Sequence, residues 1–494
     1  ERIQELGHID LRWQSRVKGF KQNKEFATLS VETPEGSYEI QADHVIDASG
    51  SHTPFHAWTG VTMESKKGDD RWCIADVRFD TRPPTERHTW IEAPFNENRA
   101  VWQHLMADDV WRIDYQMEPN ADAAYISRED VVRERLERQF GKNVKVDIVW
   151  VGPYAYKSQC LNTLRMGRVF FIGDTAKIVN PFGARGGNTG VADADNLAWK
   201  LAAVLRGHAD AAILESYNDE RHEAAQENVK VTRRTARFLR PADGIEQKFR
   251  KAAISLAKQY PFARSLINTG RMAVANTYRG SRICGDNGGT SVQNVRFQWR
   301  QGKPGCLNDL LQWADGRLLI LVFGPQTKAA LKRLQDLSNS GLPVRCVQVL
   351  ANVQTTQARE HLIDTQQHLQ NACGTVPVGG WALIRPDGYL ADSGKGVNGD
   401  LIVVIEEAEH PELKRENEHI HYEAVVSIGD AVLGTSIEIP TIGGKAKIKI
   451  EPGTQSGKVL RLRGKGLPNI QGYGTGDQFV HIHVWIPTKL SKEE

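Results

Sequence analysis

Asp174 closes the apolar run Val169-Phe170-Phe171-Ile172-Gly173, and a glycine-rich loop follows, Asn180-Pro181-Phe182-Gly183-Ala184-Arg185-Gly186-Gly187-Asn188. A carboxylate at a strand end can accept hydrogen bonds from the hydroxyls of a sugar alcohol. A loop poor in side chains lets a flat ring lie against backbone, a freedom that glycine supplies. The helix that starts after Gly186-Gly187 aims free N–H groups and a partial positive charge at whatever sits there. Gly173, Asp174, Gly183, Gly186 and Gly187 are the residues that make up this device. Glycine loops before helices are common, so on this physics alone a plain structural turn is an equally good reading. No pattern singles out a catalytic side chain. Trp90, Trp102, His104 and Tyr115 lie on strand-like runs, where such residues are core more often than catalytic.

The elements that must position this loop can be read on either side of it. Phe26–Thr33 reads as a strand, Pro34-Glu35-Gly36-Ser37 as a turn and Tyr38-Glu39-Ile40 as the return of a hairpin. Val45-Ile46-Asp47 is a short apolar strand running towards Gly50. Arg71–Phe79 and Val110–Tyr115 alternate as in a sheet with one covered face, and Arg128–Phe140 is a charged amphipathic helix. The helix after the loop is expected to bury one face made of Val191, Ala194, Leu197, Ala198, Leu201, Val204 and Leu205, with Gly207 as its stop. Leu214 to Arg271 stays helical. Its part from Lys230 onward carries eleven basic residues against Asp243 and Glu246. A solvated face is the favoured reading there, and steering of an acidic substrate or cofactor the alternative.

Beyond Arg271 the texture changes. Leu318–Gly324 and Val344–Leu350 read as buried strands separated by a helix, and Trp381–Tyr389 ends an α/β module of thioredoxin-like size without a redox cysteine pair. The last hundred residues are rich in strands and glycine turns; Lys445–Ile450 alternates basic and apolar residues.

Composition excludes several classes. The chain has 494 residues, 63 basic and 60 acidic, a net charge of +3, which gives no electrostatic case for nucleic acid. Two to four domains are expected at this length. No apolar run is long enough for a membrane span. Cys73, Cys160, Cys284, Cys306, Cys346 and Cys373 are scattered without metal-like spacing, so reduced thiols in a cytoplasmic protein are expected and a metal site is not. The first residues, Glu1-Arg2-Ile3-Gln4, are neither a signal nor an initiator Met, as expected of a chain that begins mid-protein.

Gly167–Ala176, Pro181–Asn188 and Asp193–Lys200 together resemble the second FAD fingerprint of single-component aromatic hydroxylases, the group of phenol and 3-hydroxyphenylpropionate hydroxylases. The resemblance extends over about residues 1–394, through Asp108–Asp114 and the thioredoxin-like tail. It implies that Asp174 binds the ribityl chain, that Pro181 and Gly183 lie beside the reactive edge of the ring, and that Gly187 and Asn188 face its pyrimidine side. It also implies FAD as cofactor, NAD(P)H as co-substrate, and O2 and a phenolic or aromatic acid as substrates. Three positions depart from the family: Thr175 and Lys177 stand where Ala and His are common, and Ser49 where an Asp often is. No GxGxxG follows an N-terminal strand, so the family's unit for the ADP half of FAD is expected to be missing and the activity impaired.

Residues 397–494 resemble the second C-terminal β-domain of DnaJ-type co-chaperones, on Gly399–Ile405, His410–Arg415, Asp430–Thr435, Ile439-Pro440-Thr441, Pro452–Gly457 and Leu462–Pro468. That implies an antiparallel β-module and a partner in unfolded polypeptide. The expected class is α/β and α+β multidomain. Its parts are a partial FAD-binding and substrate domain over 1–240, a helical linker over 241–300, the thioredoxin-like module over 301–394 and the β-domain over 395–494. Three accounts stand side by side: a flavin hydroxylase, a non-enzymatic polypeptide-binding module, and a join of two unrelated genes with no joint function.

Overall fold

Strand Arg71–Phe79 alternates as its sequence demands: Cys73, Ala75 and Val77 are buried on one side while Trp72 faces the other. It sits inside a five-stranded antiparallel sheet in the order Val146–Ala155, Arg71–Phe79, Trp111–Gln116, Arg99–Leu105, His88–Ala93. Helix α1, Glu129–Phe140, covers one face through Val132 and Leu136, which pack with Trp111, Ile113 and Tyr115. In this computed structural model the described residues are 2–66, 71–239, 241, 244–267, 271, 274–299, 302–352, 358, 360–395, 412–416, 418–468 and 475–485. Gly399–Ile405, His410-Pro411, Gly472 and Gly474 lie outside them. The chain forms two units, Glu1–Leu401 and Ile402–Glu494.

In the first unit the hairpin Ala27–Thr33 and Gly36–Ala42 forms as read. Val45–Asp47 runs parallel to Val169–Phe171, which Arg165–Met166 flanks antiparallel. Helices α2, Arg185–Leu205, and α3, Glu215–Leu239, close over this small sheet through Leu197, Leu201 and Tyr217. Helix α4, Ile245–Gln259, follows. Among the described residues no helix is long and apolar enough to cross a membrane.

The expected apolar face of α2 needs correction. Leu197 and Leu201 are buried, but Val191 and Leu205 are 70% and 63% exposed, and Ala194 and Ala198 are exposed too. The helix instead buries Thr189, Asp193, Asn196 and Lys200. The reason lies in its partner, because α3 presents Glu220 and Arg221 to that side and the polar groups satisfy one another.

The second half of this unit is a seven-stranded sheet from Arg296 to Gly394, in the order Lys303–Cys306, Arg296–Trp299, His361–Ile363, Val344–Leu350, Leu318–Phe323, Trp381–Ile384, Leu390–Gly394. Its three central strands are parallel and the outer pairs antiparallel. Cys346 and Cys373 are buried, and burial pushes the Cys373 thiol up to about 12. Both behave as small apolar groups of the core.

The second unit pairs Leu413–Glu416, His419–Ser427, Gln478–Trp485 and Val459–Leu462 in one sheet, and Thr435–Thr441 with Gly444–Ile450 as a hairpin. Ile448 and Ile450 are buried between exposed lysines, as their alternation requires. The ladders are antiparallel except the central one. There His419–Ser427 and Gln478–Trp485 run parallel, within the otherwise antiparallel module.

Candidate flavin site

The strand Val169–Phe171 is fully buried and ends one residue earlier than its apolar run suggests; Gly173–Thr175 then makes a single 3-10 turn. Asp174 sits exposed on that turn rather than at the last strand position. Gly173 holds φ at +62°, so a side chain there would be strained, although a Cβ would meet no heavy atom within 4 Å. The loop ends in a second 3-10 turn with Gly183 at φ +73° and Ala184 at φ +53°, and α2 begins at Arg185. No side chain caps α2, and no heavy atom lies within 4 Å of a Cβ built on Gly187. The first N–H groups of a long helix are thus left for a ligand. Asn188 is exposed, and its amide donates to Ala184 O at 2.7 Å, bracing the turn. The structure therefore brings Asp174, Pro181, Gly183, Gly186, Gly187 and Asn188 onto one exposed loop and helix start.

What holds this loop was not legible from its glycines. Asp193, wholly buried on α2, accepts the Gly173 N–H at 3.0 Å and is ion-paired with Lys177, while Arg221 Nε donates to its other oxygen at 2.8 Å. Arg221 also donates to Tyr278 Oη at 2.7 Å and Thr189 Oγ1 at 2.9 Å. Burial pushes the Lys177 ammonium down; Asp193 opposes that shift and Arg221 adds to it. Lys177, in the position where the resembling family has His, is thus a buried counter-ion of the loop. On the other side Gly50 N donates to Thr175 Oγ1 at 2.9 Å. Asp47 accepts from Ser49 Oγ and Thr53 Oγ1, both at 2.6 Å. The signal available in the sequence was polar residues recurring on an otherwise apolar helix.

The aromatic candidates divide as core residues do. Tyr115 is fully buried and donates to Gln139 Oε1 at 2.7 Å, and Trp90 packs into the α1 core. Trp102 stacks on Trp72 at 4.4 Å between centroids, on the opposite face of the sheet. That face also carries Asp114, opposite Trp102, and burial pushes its carboxyl up to about 6. One of its oxygens finds no partner among the described residues. An acid whose folded pKa is raised above its unfolded value loses stability as pH climbs through that interval. Asp114→Asn is therefore expected to stabilise the first unit by about 1–3 kcal/mol at pH 7 and by far less near pH 4. Urea titrations at both pH values check this.

Residues 1–232 match the family model of the FAD binding domain, and residues 384–487 match that of the DnaJ C terminal domain. The chain joins these two domains. The FAD-binding domain is fitted by what the loop offers: open space above Gly173 and Gly187, an exposed carboxylate at Asp174, and uncapped N–H groups at α2. These suit the ring and ribityl half of FAD. The DnaJ match begins at Ile384, inside a strand of the seven-stranded sheet of the first unit.

A chaperone protein DnaJ of Bacteroides fragilis (strain YCH46) is 53% identical over 109 residues, 22% of this chain and 28% of that protein. A 3-(3-hydroxy-phenyl)propionate/3-hydroxycinnamic acid hydroxylase of Klebsiella pneumoniae (strain 342) is 24% identical over 411 residues, 79% of this chain and 71% of that protein. The chain thus spans under a third of the chaperones it matches. The fold of the first unit is that of solved aromatic hydroxylases. It superposes on the flavin-dependent monooxygenase PieE with a TM-score of 0.63 at 19% identity, covering 77% of this chain and 72% of that one. With the OxyS anhydrotetracycline hydroxylase from Streptomyces rimosus the TM-score is 0.59 at 24% identity, covering 79% and 74%.

Proposed function

We propose that residues 1–394 form an FAD-dependent hydroxylase of a phenolic or aromatic acid, with NAD(P)H as reductant and O2 as oxidant. The observation that carries this reading is the exposed Asp174 beside an uncapped helix start and two open glycines, all braced from below by Asp193. FAD, when bound, supplies the redox chemistry. The chain's own part is to hold and orient it. Asp174 accepts hydrogen bonds from the ribityl hydroxyls, the N–H groups of Gly187 and Asn188 face the pyrimidine edge, and Pro181 and Gly183 border the reacting side. Gly173, Asp174, Pro181, Gly183, Gly186, Gly187 and Asn188 are its binding residues under this reading.

A charge-assisted hydrogen bond is worth about 1.5–3 kcal/mol net, so Asp174→Ala is expected to weaken riboflavin binding by roughly tenfold or more. Quenching of riboflavin fluorescence measures it, and unchanged affinity would place the flavin elsewhere. The binding residues named above would hold only the ring and ribityl half, so riboflavin and FAD should bind this chain within about threefold of one another.

For the second unit we propose binding of unfolded polypeptide. Val425, Leu433 and Trp485 are 68%, 79% and 58% exposed, which supports an apolar client. Retarded aggregation of a denatured test protein by the whole chain, lost in Trp485→Ser, checks that reading.

A further inference from the structure

The basic stretch after Lys230 does more than coat a wet helix. A cavity of about 1300 Å³ opens between α3 and α4, with strand Ser158–Leu161 on its floor. Lys230, Arg233 and Arg234 line it from α3 at positions i, i+3 and i+4, which lie on one helical face. Other cations of the wall are spoken for: Arg237 pairs with Glu246, Arg250 with Glu92 and Arg271 with Glu227. Lys230, Arg233 and Arg234 have no carboxylate partner among the described residues. Among the described residues the acid left on the wall is Glu64, exposed on its strand, so their charges there sum to a positive excess.

Across from these cations α4 presents Ile245 and Phe249, again i and i+4, and they are 82% and 61% exposed. Phe238 and Val229 of α3 add apolar wall. One side of the cavity therefore asks for an anion and the other for an apolar body. Its volume exceeds the range of about 300–1000 Å³ that holds drug-sized ligands, so several fused rings fit as readily as one.

We propose that this cavity binds a carboxylated aromatic molecule of more than one ring, its carboxylate on Arg233 and Arg234 and its rings against Phe249 and Ile245. An isolated phosphate would leave the apolar wall exposed, and a neutral arene would leave the cations without a counter-ion. The identity of this occupant as the molecule hydroxylated rests on the proposed function; its binding does not.

The experiment uses the whole chain without flavin and titrates 2-naphthoate, its neutral isostere 2-naphthamide, and benzoate by calorimetry. Naphthoate is expected to bind about tenfold or more tighter than naphthamide, since it alone makes charge-assisted bonds, and also tighter than benzoate. The double variant Arg233→Gln/Arg234→Gln should bring naphthoate down to the level of naphthamide while naphthamide itself is unchanged, which also shows that the cavity is still formed. Phe249→Ala should weaken both naphthalenes. Equal binding of naphthoate and naphthamide, or naphthoate binding indifferent to the double variant, overturns the proposal. Naphthoate binding in a chain that never takes up flavin would uphold this site and sink the hydroxylase reading instead.

Discussion

Asp193→Ala is expected to cost the first unit about 3–5 kcal/mol, the toll of breaking a buried ion pair by removing one partner. Lys177 and Arg221 are each 1% exposed and share this carboxylate. Its loss strands two cations in low dielectric and leaves the Gly173 N–H without an acceptor. Lys177 can shed its proton, as burial already favours, but the Arg221 guanidinium cannot. The second variant Lys177→Met, added to Asp193→Ala, should therefore recover at least about 1 kcal/mol, a coupling that independent sites would not show. Equilibrium urea unfolding of the single and double variants measures it. Asp193→Ala should also loosen the turn that carries Asp174, so riboflavin affinity falls with stability. Simple additivity of the two substitutions would mean that Lys177 and Asp193 do not act on one another.

The sequence was most readable where one periodicity met one environment. Val344–Leu350 is a strand at the bounds its apolar run suggests, because both faces are covered and nothing competes. Arg71–Phe79 is equally plain, since alternation needs only one covered face. Helix α2 was misread because a single helix cannot announce its partner. Counting apolar residues put Val191 and Leu205 inside, whereas the complementary charges of α3 drew Asp193, Asn196 and Lys200 there. The parallel pairing of His419–Ser427 with Gln478–Trp485 was hidden for a related reason, as strand direction is settled by partners far apart in the chain. The flavin loop itself was legible as a run of glycines and an aspartate. Its supports were not, since Thr175 and Asp193 bond to residues brought near only by folding. Lys177 drew notice only as a departure from a family pattern, and geometry alone gives that departure its meaning.

Arg385→Met should destabilise the first unit about as much as Asp193→Ala does. Arg385 is 1% exposed and spans two carboxylates, donating to both oxygens of Glu220 at 2.6 and 2.9 Å and to Asp387 at 2.6 and 3.0 Å. Glu220 belongs to α3 and Arg385 to the turn after strand Trp381–Ile384, so this one side chain clamps the FAD-binding helices to the seven-stranded sheet. Around it Lys200 donates to Glu220 at 2.8 Å, Ser281 at 2.5 Å, and Trp199 to Asp387 at 3.0 Å. Burial alone would raise the Glu220 carboxyl, yet Arg385, Lys200 and Asn196 together outweigh it and hold it down to about 2. Methionine keeps much of the volume but no charge, so Glu220 would keep Lys200 as its cation while Asp387 would keep the neutral donor Trp199. The expected loss is about 3–5 kcal/mol at pH 7. It should shrink as pH falls from 7 towards 4.5, because burial raises the orphaned Glu220 carboxyl and lets it take up a proton that the native one refuses. Arg385→Lys should not rescue it, because one ammonium cannot make both bidentate contacts. Urea midpoints of both variants at pH 7 and pH 4.5 decide the matter: a loss that does not change with pH would show that Arg385 acts through packing rather than through these two carboxylates.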